Sequence, residues 1–228
     1  MIFNNNQTKI YIYKIPKIDS RMYIIPNSKY NTEALVIDPS IQEDAIPLIR
    51  NFSSVRILLT HSHYDHISGV NWLRELTKAT LLCTEICAEK IKDPHQNLAA
   101  FAPALYIGCD EEYKQICQNT FQLNYYCKAD KIYPPELYFT FGNHQIQTVQ
   151  TPGHSPCSQC IILTPHADTN SKIIFTGDSM VNGHKIITRL PGGSKKAYLE
   201  TTKPFLDAID NDTIIMPGNG DWGKKSEM

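Results

Sequence analysis

Six consecutive residues, His61-Ser62-His63-Tyr64-Asp65-His66, offer three imidazoles and a carboxylate one residue after the apolar run Val55-Arg56-Ile57-Leu58-Leu59. Imidazole nitrogen and carboxylate oxygen are the donors that hold Zn²⁺ or Fe²⁺ at short bond distances. In an extended segment residues two apart point the same way, so His61, His63 and Asp65 can face one cavity. A turn at Asp65-His66 then brings His66 beside them, an arrangement better suited to two adjacent metals than to one. The competing reading makes these ordinary polar residues at a helix start, with Asp65 or Ser68 as the N-cap.

Two later stretches weigh against that plain reading. Thr151-Pro152-Gly153-His154-Ser155-Pro156 follows the alternating segment Gln145-Ile146-Gln147-Thr148-Val149-Gln150, and Phe175-Thr176-Gly177-Asp178-Ser179 follows Lys172-Ile173-Ile174. Each places one ligand-type residue just past a strand end, where open α/β sheets build their sites.

With Ala34-Leu35-Val36-Ile37-Asp38-Pro39 before them and Met216-Pro217-Gly218-Asn219-Gly220 after, these stretches form five signatures in order. Together they resemble the metallo-β-lactamase superfamily, with motifs like those of glyoxalase II, over nearly the whole chain. The resemblance implies a four-layer αββα sandwich in a single domain, residues 1–228. It further implies that His61, His63 and His154 bind a first metal, that Asp65 and His66 bind a second, and that Asp178 bridges the two. Asp38 is implied to be a buried carboxylate that steadies the ligands from behind.

The last signature departs from the pattern. Where the family usually carries a histidine of the second site, this chain has Asn219, and an amide oxygen is a poorer ligand than imidazole for a borderline-soft cation. Three outcomes stay open: a weakly loaded dinuclear centre, a mononuclear centre, or a ligand from elsewhere. His184 is the nearest substitute.

The elements that must position these residues can be read in outline. Residues 9–14, 22–25, 34–38 and 55–59 read as strands from their β-branched and aromatic content, followed by 81–83, 137–141, 146–150, 160–163, 173–176 and 213–216. Helices are expected near 41–52, 68–77, 85–91 and 194–209. Residues 93–131 stand apart. Their aromatic content, including Phe101, Tyr106, Tyr113, Phe121, Tyr125 and Tyr126, suits either a cap that shapes a substrate pocket or burial against the scaffold or a second subunit. The segment Arg189-Leu190-Pro191-Gly192-Gly193 is a second candidate pocket loop, so His184 and Arg189 are the candidate substrate contacts.

At 228 residues and a formal net charge of −1, the chain has the length of one large α/β domain and no basic face for a polyanion. Nucleic acid is therefore not expected as a partner, and the absence of a long apolar run speaks against a membrane span. An N-terminus without a basic start and apolar core, and seven cysteines, an odd number, point to reduced thiols in the cytoplasm. Cys157 and Cys160 form a CxxC that reads as structural, with Cys157 close enough to His154 to reach the rim of the site.

The expected chemistry is hydrolysis. A zinc ion, or a pair, lowers the pKa of coordinated water to about 7 and polarises a carbonyl. Asp65 is placed to orient that water or take its proton. The substrate class is a small-molecule or peptide ester, thioester, lactone or amide. Two alternatives remain: an Fe²⁺ persulfide dioxygenase built on two histidines and Asp178, and a binding protein without catalysis.

Overall fold

The computed structural model describes residues 1–228, the side chain of Leu105 excepted. Strands β1 (Ile2–Asn4), β2 (Lys9–Lys14), β3 (Arg21–Pro26), β4 (Glu33–Ile37), β5 (Ser54–Leu58), β6 (Ala79–Thr84) and β7 (Lys131–Tyr133) form one sheet in chain order. Pairing is antiparallel as far as β4 and parallel from β4 to β7. The second sheet orders β8 (Tyr138–Phe141), β9 (His144–Gln150), β10 (Gln159–Pro165), β11 (Ile173–Gly177), β12 (Ile214–Pro217) and β13 (Gly223–Lys224) as β13-β12-β11-β10-β9-β8. There, only β11 and β12 run parallel.

Strand alternation divides the apolar residues among the layers. Tyr23, Ile25, Leu35, Ile37 and Leu58 of the first sheet meet Ile146, Ile161, Leu163, Phe175 and Met216 of the second. Their neighbours Met22, Ile24, Ala34, Val36 and Ile57 face the opposite way, under helices α1 (Ile46–Ile49), α3 (Val70–Leu76) and α4 (Glu85–Lys90). On the far side Cys160, Ile174 and Ile215 lie beneath Leu206 of the last helical stretch. The result is helix, sheet, sheet, helix, the four-layer order implied by the family resemblance. Burying each large aliphatic or aromatic side chain in these layers contributes about 1.5–3 kcal/mol.

Three details differ from the sequence reading. Residues 41–52 do not form one helix but a 3₁₀ turn, Glu43–Ala45, followed by the short α1. Pro47 is the cause: it has no N–H to donate back to Glu43, so it can sit only in the first turn of a new helix. The stretch expected near 194–209 is α7 (Lys195–Ala197), a π-turn at Tyr198–Thr202, and α8 (Lys203–Asp207), with Pro204 in the first turn of α8. The edge strands β1, β7 and β13, two or three residues each, are too short for a periodic signal.

Residues 93–131 contain α5 (Ala102–Leu105) and α6 (Glu111–Thr120) and carry their own small core. Tyr106, Cys117 and Phe121 pack there on Ile15 and Tyr64, and Tyr64 Oη and Tyr106 Oη are 2.8 Å apart. Tyr106 and Phe121 are therefore buried against the scaffold, Tyr113 and Tyr125 are half-buried, and Phe101 and Tyr126 are exposed. No helix among the described residues is long and apolar enough to cross a membrane.

Candidate metal centre

The His61–His66 segment leaves β5 extended and turns into the single-turn helix α2 (Tyr64–Ile67) after His63, whose φ of −66° and ψ of 146° end the extended run. Two backbone bonds fix that turn: His66 N–H donates to His63 O at 3.0 Å, and Tyr64 N–H donates to Asn97 O at 2.9 Å. The second bond comes from residues 93–131, so that segment helps to hold the histidine loop. His154 follows β9 and Asp178 follows β11. Gly177, at φ +50°, allows β11 to end against Thr60, where any Cβ would collide with the threonine side chain.

These ends bring His61, His63 and His154 together in one buried cluster, with candidate ligand atoms all within 4.8 Å of one another. His154 Nδ1 donates to Ile187 O at 2.8 Å, which leaves Nε2 as the free nitrogen, 2.9 Å from His63 Nδ1. Behind His61 runs a relay. Asp38, buried and at φ +49°, accepts from Thr60 N–H at 2.7 Å and from the Thr60 hydroxyl at 2.5 Å. With the hydroxyl proton so used, Thr60 Oγ1 accepts from His61 Nδ1 at 3.1 Å, and the His61 lone pair is left on Nε2.

The remaining candidates lie alongside. His66 Nδ1 faces Asp38 Oδ2 at 3.0 Å, while its Nε2 faces Asp65 Oδ2 at 3.2 Å and Asp178 Oδ1 at 3.5 Å. Asp178 Oδ2 is in turn 3.5 Å from His154 Nε2 and joins the two groups. Asn219 lies against the same carboxylate, its side-chain amide 2.7 Å and 3.1 Å from the two Asp178 oxygens.

Electrostatics separate the groups. Burial, reinforced by the neighbouring imidazoles, pushes His61 and His63 well below the usual histidine range, so both are neutral near pH 7. Burial also disfavours charge on His66, but Asp65, Asp178 and Asp38 together raise it well above that range. Burial opposes ionisation of Asp65, yet the His66 imidazole wins and holds it at about 2. Asp178 is raised by burial, with His66 and His154 pulling the other way.

The residues fit a divalent metal. His61 Nε2 is a buried nitrogen without a hydrogen-bond partner, which costs free energy unless a cation takes its lone pair. Of these groups His154, Asp178 and Asn219 reach the wall of a cleft of about 500 Å³, which is lined also by Ile18, Asp19, Tyr113, Val181, His184 and Lys185. His184 thus borders the cleft without joining the cluster, and Arg189 is exposed and outside the cleft lining. Cys157 does not reach the rim; it is buried in the layer with Cys83 and Cys87, its Sγ 3.4 Å from Ser155 Oγ. Tyr113, one of the aromatics expected to shape a pocket, lines the cleft, whereas Thr60 and the Ile187 carbonyl are supports that the sequence reading passed over. Thr60 alone carried a signal, because it immediately precedes His61.

Residues 23–211 match the family described as the metallo-beta-lactamase superfamily. Among relatives, a probable metallo-hydrolase of Bacillus subtilis is 21% identical over 191 residues, covering 82% of this chain and 80% of that protein. Among solved structures, the B3 metallo-beta-lactamase BLEG-1 superposes with a TM-score of 0.74 at 21% identity, over 96% of this chain and 95% of that one. A protein crystallised in a di-iron-bound form gives 0.63 at 19% identity over 95% of each chain. The match takes in β4 to β11, the histidine loop, His154 and Asp178 and ends before Asn219, and the chain belongs to the metallo-beta-lactamase superfamily.

Proposed function

We propose that this chain is a zinc-dependent hydrolase of a small-molecule or peptide ester, thioester, lactone or amide, working in the cytoplasm on substrates other than nucleic acid. The observation that carries this reading is the buried trio of His61, His63 and His154, with ligand atoms within 4.8 Å of one another and His154 on the wall of an open cleft. His61, His63 and His154 would hold one ion, with Asp178 between it and a second position beside Asp65 and His66. Bound there, the ion supplies Lewis acidity and activates water at neutral pH.

The side chains of the chain itself define the rest. Asp65, held ionised beside His66, would orient the attacking water by accepting a hydrogen bond or take its proton. The Thr60–Asp38 relay fixes the tautomer of His61, and the Ile187 carbonyl fixes that of His154. Ile18, Val181 and Tyr113 give the cleft apolar surface for an acyl group, while His184 and Lys185 line it with polar heads.

Iron is the second reading, favoured by the di-iron form of one structural neighbour. Separately loaded samples distinguish them. Zinc-loaded protein is expected to cleave a carbonyl substrate from an ester, thioester and lactone panel without oxygen. Oxygen uptake with a persulfide in the iron-loaded protein, and no turnover with zinc, would establish the dioxygenase instead; activity in neither would leave a binding protein.

A further inference from the structure

The loop after β12 is pinned from several sides. Gly218 N–H donates to Gly177 O at 2.8 Å, and Arg21 N–H donates to Gly218 O at 2.8 Å. Asn219 forms an isolated antiparallel bridge with Ser20, whose hydroxyl donates to Asp65 O at 3.0 Å. Arg21, a fully buried guanidinium, reaches Asp221 at 2.7 Å. Gly218 permits the approach, since a Cβ there would lie 2.5 Å from His66 Cε1 and 2.7 Å from Asp178 Oδ1. The loop therefore delivers the Asn219 amide to one place, the carboxylate of Asp178.

At 2.7 Å and 3.1 Å from the two carboxylate oxygens, the amide group can present oxygen or nitrogen; with oxygen there, its Nδ2 donates to Ile18 O at 3.5 Å, the outer limit of a hydrogen bond, and turning the amide exchanges that one long bond for two shorter ones. Oxygen would set acceptor against acceptor. Nitrogen donates to both oxygens in a charge-assisted arrangement. We infer that Asn219 is a positioning residue that donates its amide N–H to Asp178, and that this donor, standing where a ligand would be needed, keeps the centre at one metal ion per chain. The inference rests on the metallo-hydrolase reading and goes further, assigning the number of ions to one side chain.

The physical reason is direct. An amide nitrogen has no lone pair for a cation, and its protons repel one. A second ion beside Asp65, His66 and Asp178 would have to displace those protons from Asp178 and would gain no fourth protein ligand in return. Imidazole or carboxylate at position 219 removes the donors and adds a lone pair.

Metal-free protein titrated with Zn²⁺ by calorimetry, with metal content measured after dialysis, tests the inference; Co²⁺ loading followed by paramagnetic resonance reports whether two ions couple. Wild type is expected to bind one ion and give an uncoupled Co²⁺ signal. Asn219→His and the near-isosteric Asn219→Asp are each expected to bind two, with a coupled signal, and the second variant keeps the test alive if the first does not fold. Asn219→Ala is expected to weaken the single ion by about 10–100-fold, the usual effect of removing a group that orients a ligand. Two ions of comparable affinity in wild type, or one ion in both folded variants, would overturn the inference and leave the metallo-hydrolase reading standing. Wild type that binds no ion at all would instead overturn that reading.

Discussion

His61, His63 and His154 form one half of the cluster, and Asp65, His66 and Asp178 the other; the two halves are wired in opposite ways. In the first half the nitrogens of His61 and His154 that face away from the cluster are tied, to Thr60 and to the Ile187 carbonyl, and burial keeps His61 and His63 neutral. In the second half three carboxylates surround His66 and favour a proton on it. The first half is thus ready to accept a cation, whereas the second holds a proton that a cation must expel. A centre can share a single bridging carboxylate and still contain one strong position and one weak one.

The largest expected effect comes from breaking the first half. His61→Ala and His154→Ala should each reduce metal content after dialysis to background and lower activity by well over the 10–100-fold typical of losing an orienting group, because one of three protein ligands is gone. Metal analysis and turnover on the same preparation check this. Full metal retention in either variant would mean that the trio is not the binding site.

Acid sharpens the comparison in metal-free protein. His61 and His63 have folded pKa values below the unfolded 6.5, so the unfolded chain takes up protons that the folded chain refuses, and stability falls as pH drops below about 6.5. The slope is at most about 1.4 kcal/mol per pH unit for each histidine. His66 behaves in reverse: its folded pKa is raised, so its contribution is complete below 6.5 and is lost as pH rises through the folded value. Thermal unfolding of the metal-free protein between pH 5 and 8 should show the acid-side loss shrinking in His63→Gln and the alkaline-side loss shrinking in His66→Gln. An unchanged acid slope in His63→Gln would contradict the neutral, buried first half.

The sequence made the ligand candidates of both halves easier to read than the groups that support them. His61, His63, Asp65 and His66 stand together in one motif after an apolar run, and His154 and Asp178 each follow a strand with clear apolar content, so residue type and strand position marked them as candidates, while the division into two metal positions came from the family resemblance. The supports were harder: a carbonyl such as Ile187 O carries no side-chain signal, and the role of Thr60 depends on β4 and β5 lying side by side. In the fold the layers followed from alternation, while Pro47 cut a stretch whose apolar spacing suggested one helix. The aromatics of 93–131 supported both a pocket wall and a packed cap, and the structure uses them for both: Tyr113 lines the cleft while Tyr106 and Phe121 are buried.

The smallest expected effects lie at the rim, where His184 and Arg189 differ in position. His184 borders the cleft but is solvated and stands outside the imidazole trio, so its contact with substrate acts in a high dielectric and is worth at most about 1 kcal/mol. His184→Ala should therefore raise KM by about two- to fivefold, with kcat and metal content unchanged. Arg189, exposed and outside the cleft lining, should shift KM by less than about twofold when replaced by alanine. Steady-state kinetics with metal analysis on both variants separates the possibilities. A loss of metal in His184→Ala would make His184 the ligand that Asn219 does not supply, and the weakness of the second half would then need another cause. A KM change in Arg189→Ala larger than that in His184→Ala would place the 189–193 loop over the bound substrate, and the polar wall of the cleft would extend beyond Lys185.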